Sequence, residues 1–125
     1  MSEKFDHPQV KVSLKGGPAG VDLGMASTVL WLESFPSCRT FWSCQGIPGG
    51  RGRPYVVFTA NETDLKAIVA ALDAFEEAEL EAVGWREIKI GLSLHSAKEP
   101  ELRYDLDFGT TARFKHWMKR LRVKT

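Results

Sequence analysis

Between residues 88 and 108 apolar and polar side chains alternate twice: Ile88, Ile90, Leu92 and Leu94, then Leu102, Tyr104, Leu106 and Phe108, with Pro100 in the stretch between. A period of two puts each set on one face of a strand, so the pattern predicts a hairpin with one buried face. The other face receives Glu87 and Lys89 on one strand and Arg103, Asp105 and Asp107 on the other, where opposite charges pair across strands. Just upstream the period changes. Leu65, Ile68, Val69, Leu72 and Phe75 recur every three or four residues, the stripe of an amphipathic helix that extends through Leu80 and Val83 to a stop at Gly84. Thr59 or Asn61 is placed to cap it, with Glu62 or Asp64 three residues on, where an acid meets free backbone N–H groups.

The same reasoning covers the rest of the chain. Val10, Val12 and Leu14 alternate as a half-buried strand that Gly16-Gly17-Pro18 ends. From Val21 to Ser34 the positions Val21, Met25, Val29 and Leu32 predict a helix that tolerates Gly24 at about 1 kcal/mol and stops before Pro36. Thr40 to Cys44 and Tyr55 to Thr59, rich in aromatic and β-branched residues, predict two strands joined by the long loop Gly46 to Pro54. Thr110 or Thr111 caps a last helix with the seam Phe114, Trp117, Met118 and Leu121. The order βαββαββα predicts an α+β fold: a mainly antiparallel sheet of about five strands with helices packed on one face. Its 125 residues suit one domain with one core, residues 1–8 being a loose lead-in, and there is no internal repeat or linker.

Apolar residues are 43% and charged residues 26% of the chain, the profile of a folded globule. The longest uncharged stretch, Leu23 to Leu32, is too short to span a bilayer, and the first residues lack a secretory pattern, so a cytoplasmic chain with no membrane partner is expected. Two cysteines, Cys38 and Cys44, make no disulfide framework, and with His7, His95 and His116 they match no zinc-ligand spacing; no metal or cofactor is expected. The four tryptophans and seven phenylalanines predict a ring-rich core, although Trp42 and Tyr55 would stack on bases if the first long hairpin is exposed.

Net charge is +1, but it is segregated. Glu62, Asp64, Asp73, Glu76, Glu77, Glu79 and Glu81 face one base, Lys66, whereas Arg113, Lys115, Lys119, Arg120, Arg122 and Lys124 end the chain without an acid. Two segments can therefore hold an anion. The loop between the two strands combines Gly49 and Gly50, which let a backbone approach closely, with Arg51 and Arg53, whose forks fit phosphate; it lacks the Gly-Lys-Ser/Thr ending of a P-loop. The last helix carries Lys115, Lys119 and Arg122 at helical spacing on one side. A solvated loop tip and an internally paired helix face account for the same residues without a ligand. Asp105 and Asp107, beside Arg103 on one strand face, suit acid/base chemistry or simple solvation.

Thr40 to Gly46, arriving from the preceding helix, carries Ser43, Cys44 and Gly46. Over Leu30 to Gly46 this resembles the Ser-Cys-Ser-Gly-Arg turn of the tRNA wybutosine-synthesizing methyltransferase-like family, with Gln45 and Ile47 where that family has serine and arginine. The resemblance implies an RNA-modifying or RNA-binding role with Ser43 and Cys44 near the site. Three functions follow from the residues. The first is a non-enzymatic binding or adaptor module for RNA or another phosphorylated ligand. The second is a homo-oligomer, such as a homodimer, in which an acidic helix meets a basic one. The third is a small enzyme centred on Cys44, with Ser43, Gln45 and His95 as helpers.

Overall fold

In the computed structural model, which describes residues 8–46, 53–83, 88–92 and 103–124, the two predicted hairpins meet in one antiparallel sheet. The chain is an α+β protein whose elements run β1 (Gln9–Leu14), β2 (Gly17–Asp22), a 3-10 turn (Leu23–Met25), α1 (Ala26–Glu33), β3 (Arg39–Cys44), β4 (Tyr55–Thr59), α2 (Glu62–Val83), β5 (Lys89–Leu92), β6 (Tyr104–Asp107) and α3 (Thr111–Lys124). The main sheet has the order β3-β4-β6-β5, so β4 pairs with β6 across the α2 excursion.

One expectation is corrected at the start of the chain. In place of a single sheet of about five strands there are two sheets: β1 pairs with the unforeseen strand β2 in a separate two-stranded ribbon. Lys15-Gly16 is the two-residue turn of this ribbon, and Gly17, which opens β2, takes a φ of 117°, a conformation costly for any residue with a Cβ. The helix therefore begins at Ala26, not Val21. Gly17, Pro18, Ala19 and Gly20 carry no apolar alternation, so this strand is held by its backbone ladder to β1 and leaves no periodic trace.

The inner face of the main sheet, Val56 and Phe58 on β4 and Leu106 on β6, packs on the three helices. These supply Val29 and Leu32 from α1, Ile68, Leu72 and Phe75 from α2, and Phe114, Trp117 and Leu121 from α3. Trp117 is the hub. Its ring lies edge-on to Trp31 at 4.9 Å and Phe75 at 5.6 Å and reaches Phe108 at 6.0 Å, while its indole N–H donates to the buried Thr28 hydroxyl at 3.0 Å. A ring of this size removes roughly 200 Å² from water, and its polar end needs the partner that Thr28 provides.

Local polar devices set where the helices start and end. Asn61 caps α2 by accepting the Asp64 N–H at 2.8 Å, and Thr110 caps α3 by accepting the Arg113 N–H at 3.0 Å, one of the two expected choices in each case. Asp64 in turn accepts the Ser37 hydroxyl and N–H at 2.6 and 2.7 Å, bonds that hold its carboxyl below the usual range and fix the α1–β3 connection to α2. At the end of α1 the Lys15 ammonium donates to the carbonyls of Glu33, Phe35 and Cys38, satisfying oxygens that the helix leaves free. Glu33 completes the clamp, accepting the Lys15 N–H at 2.9 Å and the Thr40 N–H at 2.7 Å. The β1–β2 ribbon is thereby tied to α1 and β3. No helix among the described residues is long and apolar enough to cross a membrane.

Candidate functional site

Since Val56, Phe58 and Leu106 point to the helices, alternation sends their neighbours to the other face of the sheet. In register across that outer face lie Trp42, Val57, Asp105 and Gly91 in one row, and Cys44, Tyr55, Asp107 and Lys89 in the next. Val57 is only 1% exposed although it belongs to no part of the inner core, whereas Trp42 is 48% and Tyr55 37% exposed. Adjacent strands stand about 4.8 Å apart, so Trp42 and Asp105, two strands away, bracket a strip roughly 10 Å wide.

A bulge decides what else reaches this face. The β3–β4 register slips between Thr40 and Trp42, leaving Phe41 without a partner residue on β4. Strict alternation would turn Phe41 to the face opposite Trp42. Instead the Arg103 guanidinium of the β6 side stands 3.8 Å from the Phe41 ring centre and 5.4 Å from that of Trp42, so both rings share the outer face with it. Arg39 approaches Phe41 at 5.7 Å. Such cation–π contacts contribute about 0.5–1 kcal/mol each where solvent reaches them, and they order the arginine and rings as one surface.

The end of β3 is held from the side. Gln45 donates its N–H to Asp22 at 3.0 Å, and its side-chain oxygen accepts the Gly24 N–H at 2.8 Å. A Cβ on Gly24 would lie 2.5 Å from that oxygen, which is why the helix-weakening glycine stands there. Asp22, buried, also accepts the Gln9 amide at 3.1 Å. Past this anchor Gly46 takes a φ of 81°.

The sequence-derived candidates are placed as follows. Ser43 lies opposite Val56 and Cys44 opposite Tyr55, so the two sit on opposite faces of the sheet. The Cys44 sulfur accepts the Gly46 N–H at 3.4 Å. Burial raises the Tyr55 phenol above its ordinary pKa, with Cys44, Asp105 and Asp22 adding to the effect. Cys38 is fully buried, and burial together with Glu33 pushes its thiol up to about 12, so it is a core residue. His95, like Gly49, Gly50 and Arg51, lies outside the described residues, as does His7. Arg53 is on the outer face, pairing with Asp107 at 3.4 Å with most of its side chain in solvent. Lys115 and Lys119 are exposed on α3, in the helix layer; the side chain of Arg122 is outside the described set. Among the described residues no group of three or more histidine, cysteine or acidic side chains is placed to share a metal ion.

Arg113 departs from the basic face expected of α3. It is buried against Glu76 of α2 at 3.9 Å, and Glu76 also accepts the Ile88 N–H at 2.6 Å. Sequence reasoning also missed Phe41 and Arg39 as site residues. The pair Phe41-Trp42 was the available signal, because two adjacent large rings cannot share a face without a bulge.

No protein-family model matches this chain, and neither a curated protein nor a solved structure matches it. The local likeness at Ser43, Cys44 and Gly46 thus stands without a family-level counterpart.

Proposed function

We propose that this domain is a binding module for single-stranded RNA, which it takes on the outer face of the β3-β4-β6-β5 sheet. The observation that carries the reading is the joint exposure of Trp42 and Tyr55 on one face of the sheet, with the Arg103 guanidinium over the rings of Phe41 and Trp42. Exposed rings on an open sheet face are what unpaired bases stack on, at about 1–3 kcal/mol per base. Arg39, Arg103 and Arg53 serve the phosphates, and Arg51, two positions before Arg53 in the sequence, is assigned to the same set. Asp105 and Asp107 lie in the neighbouring strand, so the charge excess is small and affinity rests more on stacking than on ion release.

Three or four phosphate contacts on a single strand give a salt slope of roughly −2 to −3 in log K against log salt, shallow for a nucleic-acid binder. The test is a fluorescence titration of a labelled single-stranded RNA at several salt concentrations, with Trp42→Ala and with Arg51 and Arg53 both changed to alanine. The reading expects about tenfold loss for Trp42→Ala at every salt concentration and a shallower slope for the arginine pair. No binding at low salt, or equal binding by Trp42→Ala, rejects it.

A further inference from the structure

The two acids on the outer face differ in what already occupies them. Asp107 is engaged within the protein: its Oδ1 accepts the Gly109 N–H at 2.7 Å and its Oδ2 pairs with Arg53 at 3.4 Å. Asp105, two residues earlier on β6 and half-buried, makes no hydrogen bond or ion pair with any other described residue. Both belong to the same face, because Leu106 between them is buried in the inner core. A negative charge on a surface that takes a polyanion opposes every phosphate near it, so a favourable contact for Asp105 has to come from a group that donates hydrogen bonds.

Register decides what Asp105 can meet. It shares a row with Trp42 and Val57, two strands from Trp42 and so about 10 Å away. Val57 between them is buried and apolar, so for a base stacked on Trp42 the next polar side chain along the row is Asp105. On the other side the row continues in Gly91, where a Cβ would meet nothing within 4 Å, so among the described residues nothing crowds Asp105 from β5.

Resting on the RNA reading of this face, we infer that Asp105 is its specificity residue: guanine stacks on Trp42 and donates its N1–H and N2–H to the two carboxylate oxygens. An ionised carboxylate only accepts hydrogen bonds, and it does so with two oxygens side by side. Of the four bases, guanine alone carries two adjacent N–H donors on its Watson–Crick edge. Adenine and cytosine each set a ring-nitrogen lone pair beside their one amino group, and the single ring N–H of uracil stands between two carbonyls. Each of these three therefore turns a lone pair toward the acid, and repulsion rejects them while the paired donors are rewarded. The preferred ligand is a single strand with guanine at the Trp42 position, its phosphates left to the arginines.

The experiment titrates the full chain with five fluorescein-labelled RNA heptamers, each with six uridines around a central guanosine, adenosine, cytidine, uridine or inosine. The guanosine heptamer should bind about tenfold more tightly than the uridine one, the discrimination expected of a bidentate base contact. It should also exceed the adenosine heptamer several-fold, because both are purines that stack and only one offers the donor pair. Inosine, which is guanosine without the 2-amino group, should lose several-fold of the advantage. Asp105→Asn, which replaces one acceptor oxygen by a donor, should bring the guanosine-to-uridine ratio down to about twofold or less. The inosine comparison uses the unaltered protein, so it decides even if Asp105→Asn does not fold. Equal binding of guanosine and adenosine heptamers, or a guanosine preference that inosine or Asp105→Asn leaves intact, overturns the inference while the RNA reading stands. No binding of any heptamer at low salt rejects the RNA reading and the role of Asp105 with it.

Discussion

The two faces of the β3-β4-β6-β5 sheet are built on opposite rules. Behind the inner face, Val56, Phe58 and Leu106 meet three helices, and the polar groups taken inside, such as Thr28 and the Trp117 indole, have partners. On the outer face, Trp42 and Tyr55 are left partly in water, arranged with Arg103, Arg53 and two aspartates. The comparison teaches that burial and exposure of similar residue types carry different information. A tryptophan at the centre of a ring cluster is explained by packing, whereas a half-exposed tryptophan under an arginine leaves much of its ring in water.

Changing the inner face should cost stability first. Trp117→Ala removes the hub ring and takes one of the two hydrogen bonds from the Thr28 hydroxyl, which keeps its bond to the Met118 sulfur, and should destabilise the fold by about 3–5 kcal/mol in urea unfolding. Arg113→Ala should cost about 3 kcal/mol by leaving Glu76 charged and buried, and pairing Arg113→Met with Glu76→Leu should recover most of that loss. Wild-type stability in the single Arg113→Ala variant would show the ion pair to be dispensable. Gly24→Ala should cost about 1 kcal/mol, since the new methyl displaces the Gln45 amide and breaks its bond to the Gly24 N–H; the effect should appear in melting temperature and in Gln45 side-chain resonances.

Trp42→Ala should cost about 1 kcal/mol of stability, the loss of its contact with Arg103, and reduce RNA affinity about tenfold, the pattern that separates the outer face from the inner. A loss of several kcal/mol of stability would instead make Trp42 a structural residue. The smallest effect concerns acid. Burial would raise the Glu33 pKa, but the N–H groups of Lys15 and Thr40, the Thr40 hydroxyl and the Lys15 ammonium together hold it below 4.5. A depressed carboxyl contributes stability that is complete above its unfolded pKa and is lost as pH falls through the lower folded value. Unfolding free energy should therefore decline below about pH 4.5, and Glu33→Gln should flatten part of that decline.

Much of this architecture could be read in the chain because it is local. The periodic stripe of α2, the Asn61 and Thr110 caps and the two long hairpins depend on residues a few positions apart, where a period and a capping side chain suffice. β2 was illegible for the converse reason: Gly17, Pro18 and Gly20 form a strand only because β1 offers a ladder. Arg113 looked like part of a basic face until α2 placed Glu76 beside it, since helical spacing cannot tell which cation turns inward.

The candidate site divides in the same way. Composition and pattern determined that the chain would have a ring-rich core, hairpins with one polar face, and arginines close to Trp42 and Tyr55. Only the tertiary structure decided which rings stay in water. The slip at Phe41 turns two neighbouring rings to one side, and the pairing of β4 with β6 brings Arg103 over them from more than sixty residues away. A period reports what one strand does alone; a face is the product of several strands in register, and register is set by long-range pairing.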